Sequence, residues 1–401
     1  MRSPSAFSAA RASHLAALLL ALAGCTLPSA PPPSAPAAAL APQLRLIGTA
    51  TVPTGFGYGG TTVGGLSGID YDPASDRYWM ISDDRGSDGP ARLYSARIRY
   101  DEGRLEMPQF TSVQTLQHDS GAPYAPWWRP QAGMDRPDAE ALRWLPGTST
   151  FAWTSEGDFG RGFAPQLRVQ RSDGRFVRNI ALPASFAPPK DGDPPYGPRG
   201  NGTLEGIALS GDGRSLWLAM ELPWHQDGER ADAHSGGAPV RITAIDLESA
   251  RVLRQIAYPL DAVWRPRLLP GPQVNGVSDI LADGDDHLLV LERSYGAGRG
   301  FGARVYRIDP RSGSDTQALA ALTPGNHRPV AKTLVADLAA LGITPDNVEG
   351  MTWGPALPGG ACVLVFVSDN NFNPAQVTQF IAAQYLPPPP GHGRCATNVL
   401  P

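Results

Sequence analysis

Between residues 64 and 370 one pattern recurs five times, and it constrains the fold before any local propensity does. An apolar residue is followed by Ser or Glu, a short strand, a turn, a second strand rich in Trp, Phe or Leu, and an acidic stop. The copies run from Leu66-Ser67-Gly68-Ile69 to Asp83, from Ala139-Glu140-Ala141-Leu142 to Glu156, and from Leu204-Glu205-Gly206-Ile207 to Glu221. The last two run from Val277-Ser278-Asp279-Ile280 to Glu292 and from Val348-Glu349-Gly350-Met351 to Asp369. Three copies place 16 residues between the opening Ser or Glu and the closing acid; the fourth is two shorter and the fifth four longer. Copies begin 73, 65, 73 and 71 residues apart, the length of a whole supersecondary unit.

Each copy opens with a hairpin signal. In the third, Glu205 to Leu209 and Ser215 to Glu221 flank the turn Ser210-Gly211-Asp212-Gly213-Arg214. Leu216, Leu218 and Met220 alternate with Trp217 and Ala219, so both faces are apolar, as in a strand packed between two sheets. Further strand-like segments follow at Leu93 to Tyr100, Gln166 to Gln170, Phe176 to Leu182, Ile242 to Leu247, Val252 to Tyr258 and Arg304 to Ile308. The unit is therefore about four strands. The chain reads as all-β, a single propeller of about five blades. Segments 101–137 or 222–240 leave room for a sixth. The last copy lacks a fourth strand, which Leu44 to Val52 is placed to supply. Val335 to Leu341 reads as one short helix. Gly 45 and Pro 41 in 401 residues fit a turn-rich β protein.

The expected domain organisation is a signal over 1–24, a Pro/Ala-rich tether over 25–42, a propeller over 43–386 and a Pro-rich tail over 387–401. Arg2 and Arg11 precede the apolar run Leu15 to Leu22, too short to span a bilayer. Leu22-Ala23-Gly24-Cys25 resembles the lipobox of bacterial lipoproteins. That resemblance implies that Cys25 is lipidated and that the protein sits in the cell envelope. With Thr26 rather than Asp next, it faces the periplasm from the outer membrane. An ordinary secretory signal is the alternative. Cys362 and Cys395 either form a disulfide in such an oxidising compartment or remain free thiols. Net charge is −4, lysine is confined to Lys190 and Lys332, and no basic run exists. Nucleic-acid binding has no electrostatic footprint here. A monomer is expected.

The two acids of each repeat open one strand and end the next, so they are neighbours in an antiparallel hairpin. If the first strands line the channel, Asp83, Glu140, Glu156, Glu205, Glu221, Glu292, Glu349 and Asp369 ring one mouth, with Asp84 and Asp279 beside them. Hard oxygen ligands without His or Cys suit calcium. Glu140, Glu205, Glu349 and Asp369 are the expected core ligands and the other four outer ones. Arg85 and Arg293, with Asn370, are candidates for binding a substrate anion. The alternative is that the acids accept hydrogen bonds from turn amides and that Arg85, Arg143, Arg161 and Arg293 pair with the acids next to them. Gly55 to Gly60 precedes no helix, so a phosphate loop is not expected. The histidines lack ligand spacing, and Ser67, Ser155 and Ser278 lack a Gly-x-Ser-x-Gly frame. No catalytic nucleophile or base is identified.

Several segments together resemble the phytase-like domain family, whose members are called "esterase-like activity of phytase" proteins. They are Gly65-Leu66-Ser67-Gly68-Ile69-Asp70-Tyr71, Ile81-Ser82-Asp83-Asp84-Arg85-Gly86, Glu140-Ala141-Leu142, Ser155-Glu156-Gly157-Asp158, Leu204-Glu205-Gly206-Ile207-Ala208, Leu291-Glu292-Arg293-Ser294, Asn347-Val348-Glu349-Gly350-Met351 and Val367-Ser368-Asp369-Asn370-Asn371-Phe372. The resemblance covers roughly residues 60–385. It implies a secreted β-propeller distantly similar to calcium-dependent propeller phytases, with a small ester or anion as ligand. The competing expectation is a non-enzymatic envelope lipoprotein whose mouth binds a ligand or a protein partner.

Overall fold

The computed structural model describes residues 43–189, 195–284 and 286–386. The proposed signal and tether, the tail, Cys25 and Cys395 lie outside them. Strand β1 (Gln43–Val52) comes first, followed by a small hairpin of β2 (Gly57–Tyr58) and β3 (Thr61–Thr62). Blade 1 is β4 (Leu66–Asp72), β5 (Arg77–Ser82), β6 (Arg92–Arg97) and β7 (Gln109–Thr115). Blade 2 is β8 (Ala139–Trp144), β9 (Thr150–Ser155), β10 (Gln166–Arg171) and β11 (Phe176–Ile180). Blade 3 is β12 (Leu204–Leu209), β13 (Ser215–Met220), β14 (Val240–Asp246) and β15 (Val252–Tyr258). Blade 4 is β16 (Gln273–Asp283), β17 (His287–Gly296), β18 (Gly300–Ile308) and β19 (Lys332–Asp337). Blade 5 is β20 (Asn347–Gly354), β21 (Cys362–Asp369) and β22 (Thr378–Leu386), completed by β1.

Each blade is an antiparallel meander, and its first strand packs against the first strands of both neighbours. β4, β8, β12, β16 and β20 so form a closed inner ring of five. β1 pairs with β22 from Gln43↔Leu386 to Val52↔Thr378, joining the start of the fold to its end as the missing fourth strand required. No sixth blade exists among the described residues. Segment 101–137 contributes the outer strand β7, and 222–240 holds a short 3₁₀ turn, His225–Asp227, before ending on the first residue of β14. The short helix expected over Val335 to Leu341 is corrected. Val335 to Asp337 end β19, and only Leu338–Leu341 turn into a 3₁₀ helix, capped by the Asp337 side chain. No helix among the described residues is long and apolar enough to cross a membrane. Cys362 opens β21 and is disulfide-bonded.

The core is a set of apolar wedges between blades rather than one central mass. Trp79 and Trp144 stack between blades 1 and 2 at 5.2 Å, and Trp153 is fully buried in the same wedge. Leu291, Val305, Val348, Phe366 and Ile381 fill the wedge between blades 4 and 5. This explains why the second strands of the repeat are apolar on both faces.

The repeat also encodes a close approach along the axis. A methyl group at Gly206 would lie 2.7 Å from the Ile280 nitrogen and 2.8 Å from the Asp279 Cα, both on the next inner strand. Gly68 faces the backbone of Glu140 and Ala141 in the same way. Gly68 and Gly206 allow this approach because they carry no side chain; the equivalent positions of blades 2 and 4 are Ala141 and Asp279. Gly206→Ala is expected to destabilise the fold by about 1–3 kcal/mol through overpacking, read as a lower urea midpoint at unchanged slope.

Candidate functional site

Every inner strand carries a β-bulge at the same place. Register slips between Leu66 and Gly68, Ala139 and Leu142, Leu204 and Gly206, Val277 and Asp279, and Val348 and Gly350. The extra residue is the repeat's Ser or Glu: Ser67, Glu140, Glu205, Ser278 or Glu349. A bulge re-aims the side chain it frees. Here it turns Glu140, Glu205 and Glu349 into one mouth of the channel. The end of the second strand supplies the facing group. Asp83, Glu156 and Glu221 bond back to the backbone of Gly65, Asp138 and Thr203, and Asp369 pairs with Asn347.

The result is an open cavity of about 600 Å³ lined by eight carboxylates: Asp83, Asp138, Glu140, Glu156, Glu205, Glu221, Glu349 and Asp369, with Asp84 and Asp88 at its edge. Two arginines enter it, Arg85 and Arg293. Ligand oxygens of Asp138, Glu140 and Glu156 lie within 4.8 Å of one another, as do those of Glu156, Glu205 and Glu221. Glu156 therefore belongs to two adjacent triads.

The mouth does not receive Glu292, and Asp279, expected beside the ring, pairs with buried Arg143 instead of lining the cavity. In blade 4 the turn between paired Asp283 and His287 is 284–286, whereas the blade 1 turn between Asp72 and Arg77 is 73–76. One residue fewer in the turn shifts the second strand by one and reverses its faces. Arg293 consequently stands where the other blades carry an acid. Glu292, fully buried on the other face, accepts from Lys332 at 2.6 Å, Tyr258 at 2.7 Å and Asn275 at 2.8 Å.

The carboxylates divide by their partners. Glu156 accepts from the amides of Gly202 and Thr203, both at 2.6 Å, and lies 3.6 Å from Arg85. Asp138 pairs with Arg85. Glu221 and Glu349 lie 2.9 and 3.5 Å from Arg293. Asn347 donates to both Glu349 and Asp369, at 2.9 and 3.2 Å. No hydrogen bond or ion pair from a described residue reaches the carboxylates of Glu140 and Glu205, although each is only 7% exposed.

Burial pushes the pKa of Asp83, Glu140 and Glu205 well above the carboxylate range, and like charges add to it. Those charges are Asp369 for Asp83, Glu156 for Glu140 and Glu140 for Glu205. Burial also raises Glu156 and Glu349, against Arg85 and the Thr203 amide for one and Arg293 for the other. Glu221 is pushed up to about 7 by burial despite Arg293, and Asp369 to about 8 by burial and Glu349. Burial opposes the Arg293 charge, but Glu349 and Glu221 hold its pKa above its ordinary value.

Arginine pairing departs from sequence proximity. Arg85 reaches blade 2 rather than Asp83 or Asp84, and Asp84 instead pairs with buried Arg92 at 2.8 Å. Arg161 does stay local, 3.5 Å from Asp158. Arg143 turns away from Glu140 towards Asp279 on blade 4. Asn370 braces the mouth instead of pointing into it: its Oδ1 accepts from the amides of Gly65 and Phe372, both at 3.1 Å. That brace holds Asn371 and Phe372 at φ 47° and 50°, an uncommon backbone state for a bulky residue, and sets Phe372 on the cavity wall. Sequence reading missed Asp138. It lies just before β8, outside the repeat from which the acids were read, and its carbonyl accepts from the Glu156 amide.

A family model described as "Phytase-like: Esterase-like activity of phytase" matches residues 61–372. No curated protein matches the chain. Solved structures similar to it include the periplasmic gluconolactonase PpgL of Pseudomonas aeruginosa, at 14% identity and TM-score 0.34 over 82% of this chain and 88% of that one. A putative 6-phosphogluconolactonase from Bacteroides uniformis aligns at 15% identity and TM-score 0.35, over 78% and 82%. The catalytic domain of a Coprinopsis cinerea GH62 α-L-arabinofuranosidase aligns at 9% and 0.39, over 86% and 97%. Likenesses this remote carry no functional argument. The family match spans the five inner hairpins that build the acidic mouth, and the chain belongs to the Phytase-like family of "Esterase-like activity of phytase" proteins.

Proposed function

We propose that the protein is a calcium-dependent hydrolase of phosphate or carboxylic esters. The observation that carries this reading is the pair Glu140 and Glu205, buried, free of protein partners and facing an open cavity with six further carboxylates. A buried carboxylate without a partner is costly, and a cation removes that cost. The donor set fits calcium: all oxygen, irregular, with no His or Cys among the lining residues. Asp138, Glu140 and Glu156 would hold one ion, and Glu156, Glu205 and Glu221 an adjacent one, with Glu156 shared between the two triads. Bound calcium would polarise the ester and make a bound water more acidic.

The chain's own groups prepare the rest. Arg293, fixed by Glu221, Glu349 and Asn347, offers a held positive charge at the edge of the acidic arc. Arg85 is half exposed and positioned to meet an anionic oxygen. We further propose that the chain is secreted and anchored through Cys25; a Cys25→Ser variant should then lose palmitate labelling and membrane association.

Purified protein is expected to hydrolyse p-nitrophenyl phosphate or p-nitrophenyl acetate, to stop in EDTA and to recover with calcium. Glu140→Gln and Glu205→Gln should each lower the rate on the order of 100-fold, the scale of losing a metal-site partner. Turnover that is indifferent to EDTA and to both substitutions would remove calcium and these residues from the mechanism.

A further inference from the structure

Blade 4 differs from the others in more than its missing acid. Its first three strands continue past the level where the other blades stop. β16 and β17 stay paired from Val277↔Glu292 out to Gln273↔Gly296, and β17 and β18 out to Gly296↔Gly300. Val274, Tyr295 and Phe301 form one cross-strand row on this projection. All three line the cavity and are half-buried. The Tyr295 and Phe301 rings lie 4.6 Å apart at 42°. Arg293 is two residues before Tyr295 and so shares its face, one step lower.

The projection is backed on its other side. A methyl group at Gly296 would lie 1.9 Å from the Arg265 carbonyl, and one at Gly302 2.9 Å from Trp264 Nε1. These glycines alternate with Tyr295 and Phe301, so one face is bare for the 264–267 loop and the other aromatic. Arg265 donates to the Arg299 carbonyl at 2.9 Å, and Arg299 to the Pro266 carbonyl at 3.0 Å, stitching loop and hairpin together. The row is therefore a fixed wall and not a flap.

We infer that Val274, Tyr295 and Phe301 are specificity-determining residues that bind an aromatic or acyl group of the substrate, while its ester group reaches down to Arg293 and the carboxylates. The inference rests on the proposed ester hydrolase for the identity of the reacting group. The preferred substrate is then an ester with one apolar arm, not a small polyanion whose charge covers every side.

The test is calorimetric binding of two non-hydrolysable probes, phenylphosphonate and methylphosphonate, to the full chain in calcium. Wild-type protein should bind the phenyl compound about tenfold more tightly, the scale of one good aromatic contact. Tyr295→Ala and Phe301→Ala should bring the two affinities within about twofold while leaving methylphosphonate unchanged, which also shows that the mouth is intact. Tyr295→Phe should keep the preference. Equal affinities in wild type, or no binding of either probe, overturns the wall. A retained phenyl preference in a protein that turns over no ester leaves the wall standing and removes the hydrolase; turnover without the preference does the reverse.

Discussion

In metal-free buffer the protein is expected to become less stable as pH rises from near 4 towards 8. Glu221 has an ordinary value of 4.5 and is pushed to about 7; Asp369 moves from 3.8 to about 8. A carboxylate whose folded pKa is raised binds its proton more tightly when folded. Its contribution is fully present below the unfolded value and is lost as pH climbs through the folded one. At 1.36 kcal/mol per unit, Glu221 alone accounts for roughly 3 kcal/mol across that window. Asp83, Glu140 and Glu205 shift in the same direction.

If the mouth takes calcium as proposed, calcium should reverse the trend, because it would bind the deprotonated carboxylates of the folded state. A hundredfold excess over its dissociation constant adds about 2.7 kcal/mol. Magnesium should add less, since it demands near-octahedral geometry and dehydrates reluctantly. Urea denaturation at pH 5, 7 and 9, in EDTA and in millimolar calcium, measures all of this. Glu205→Gln combined with Glu349→Gln should flatten the fall in EDTA and shrink the calcium response. A metal-free protein whose stability holds level or rises between pH 5 and 9 would show that the mouth tolerates its charge unaided.

The fold was legible because a propeller writes each blade in full. The spacing from Ser or Glu to the closing acid records one hairpin, and the unfilled fourth strand of the last copy called for β1. The bulges were not legible. An unpaired residue leaves no mark in an apolar pattern, yet it is what aims Glu140, Glu205 and Glu349 into the mouth. Glu292 was placed in the ring because it is the acid that closes the fourth copy, whereas a turn one residue shorter than that of blade 1 puts Arg293 at the facing position. Asp138, just before β8, was missed because it falls outside the repeat and next to one of those bulges. The long-range choices of Arg85 and Arg143 were not legible either, because side chains reach across a ring whose closure the linear order does not show.

Arg143→Ala is expected to cost about 3–5 kcal/mol, the range for breaking a buried ion pair from one side. Below the acidic mouth Arg143 lies across the propeller axis, only 2% exposed. Its Nη1 donates to the carbonyls of Ile69 at 3.1 Å and Leu142 at 2.7 Å. Its Nη2 donates to Asp279 at 2.9 Å, Ile280 at 2.8 Å and Met351 at 3.2 Å. One side chain thus ties the inner strands of blades 1, 2, 4 and 5 together. Truncation would take the donor from four carbonyls and from Asp279, whose pKa burial already raises to about 6 against the pull of Arg143, so the carboxyl must either stay charged without its partner or take up a proton. Asp279 also accepts from the Met351 and Ile280 amides, at 2.9 and 2.8 Å, so an acceptor is needed there even without a charge. Asp279→Asn in the Arg143→Ala background removes the charge and keeps one of the two acceptor oxygens, since the Ile280 amide bonds Oδ1 and the Met351 amide bonds Oδ2. It should recover a good part of the loss, and a double-mutant cycle in urea would give the coupling directly. Arg143→Lys should fall between, since an ammonium cannot span the same five acceptors. If Arg143→Ala denatures at the wild-type midpoint, the inner ring is held by strand packing and the interblade wedges alone, and the arginine is a passenger on the axis.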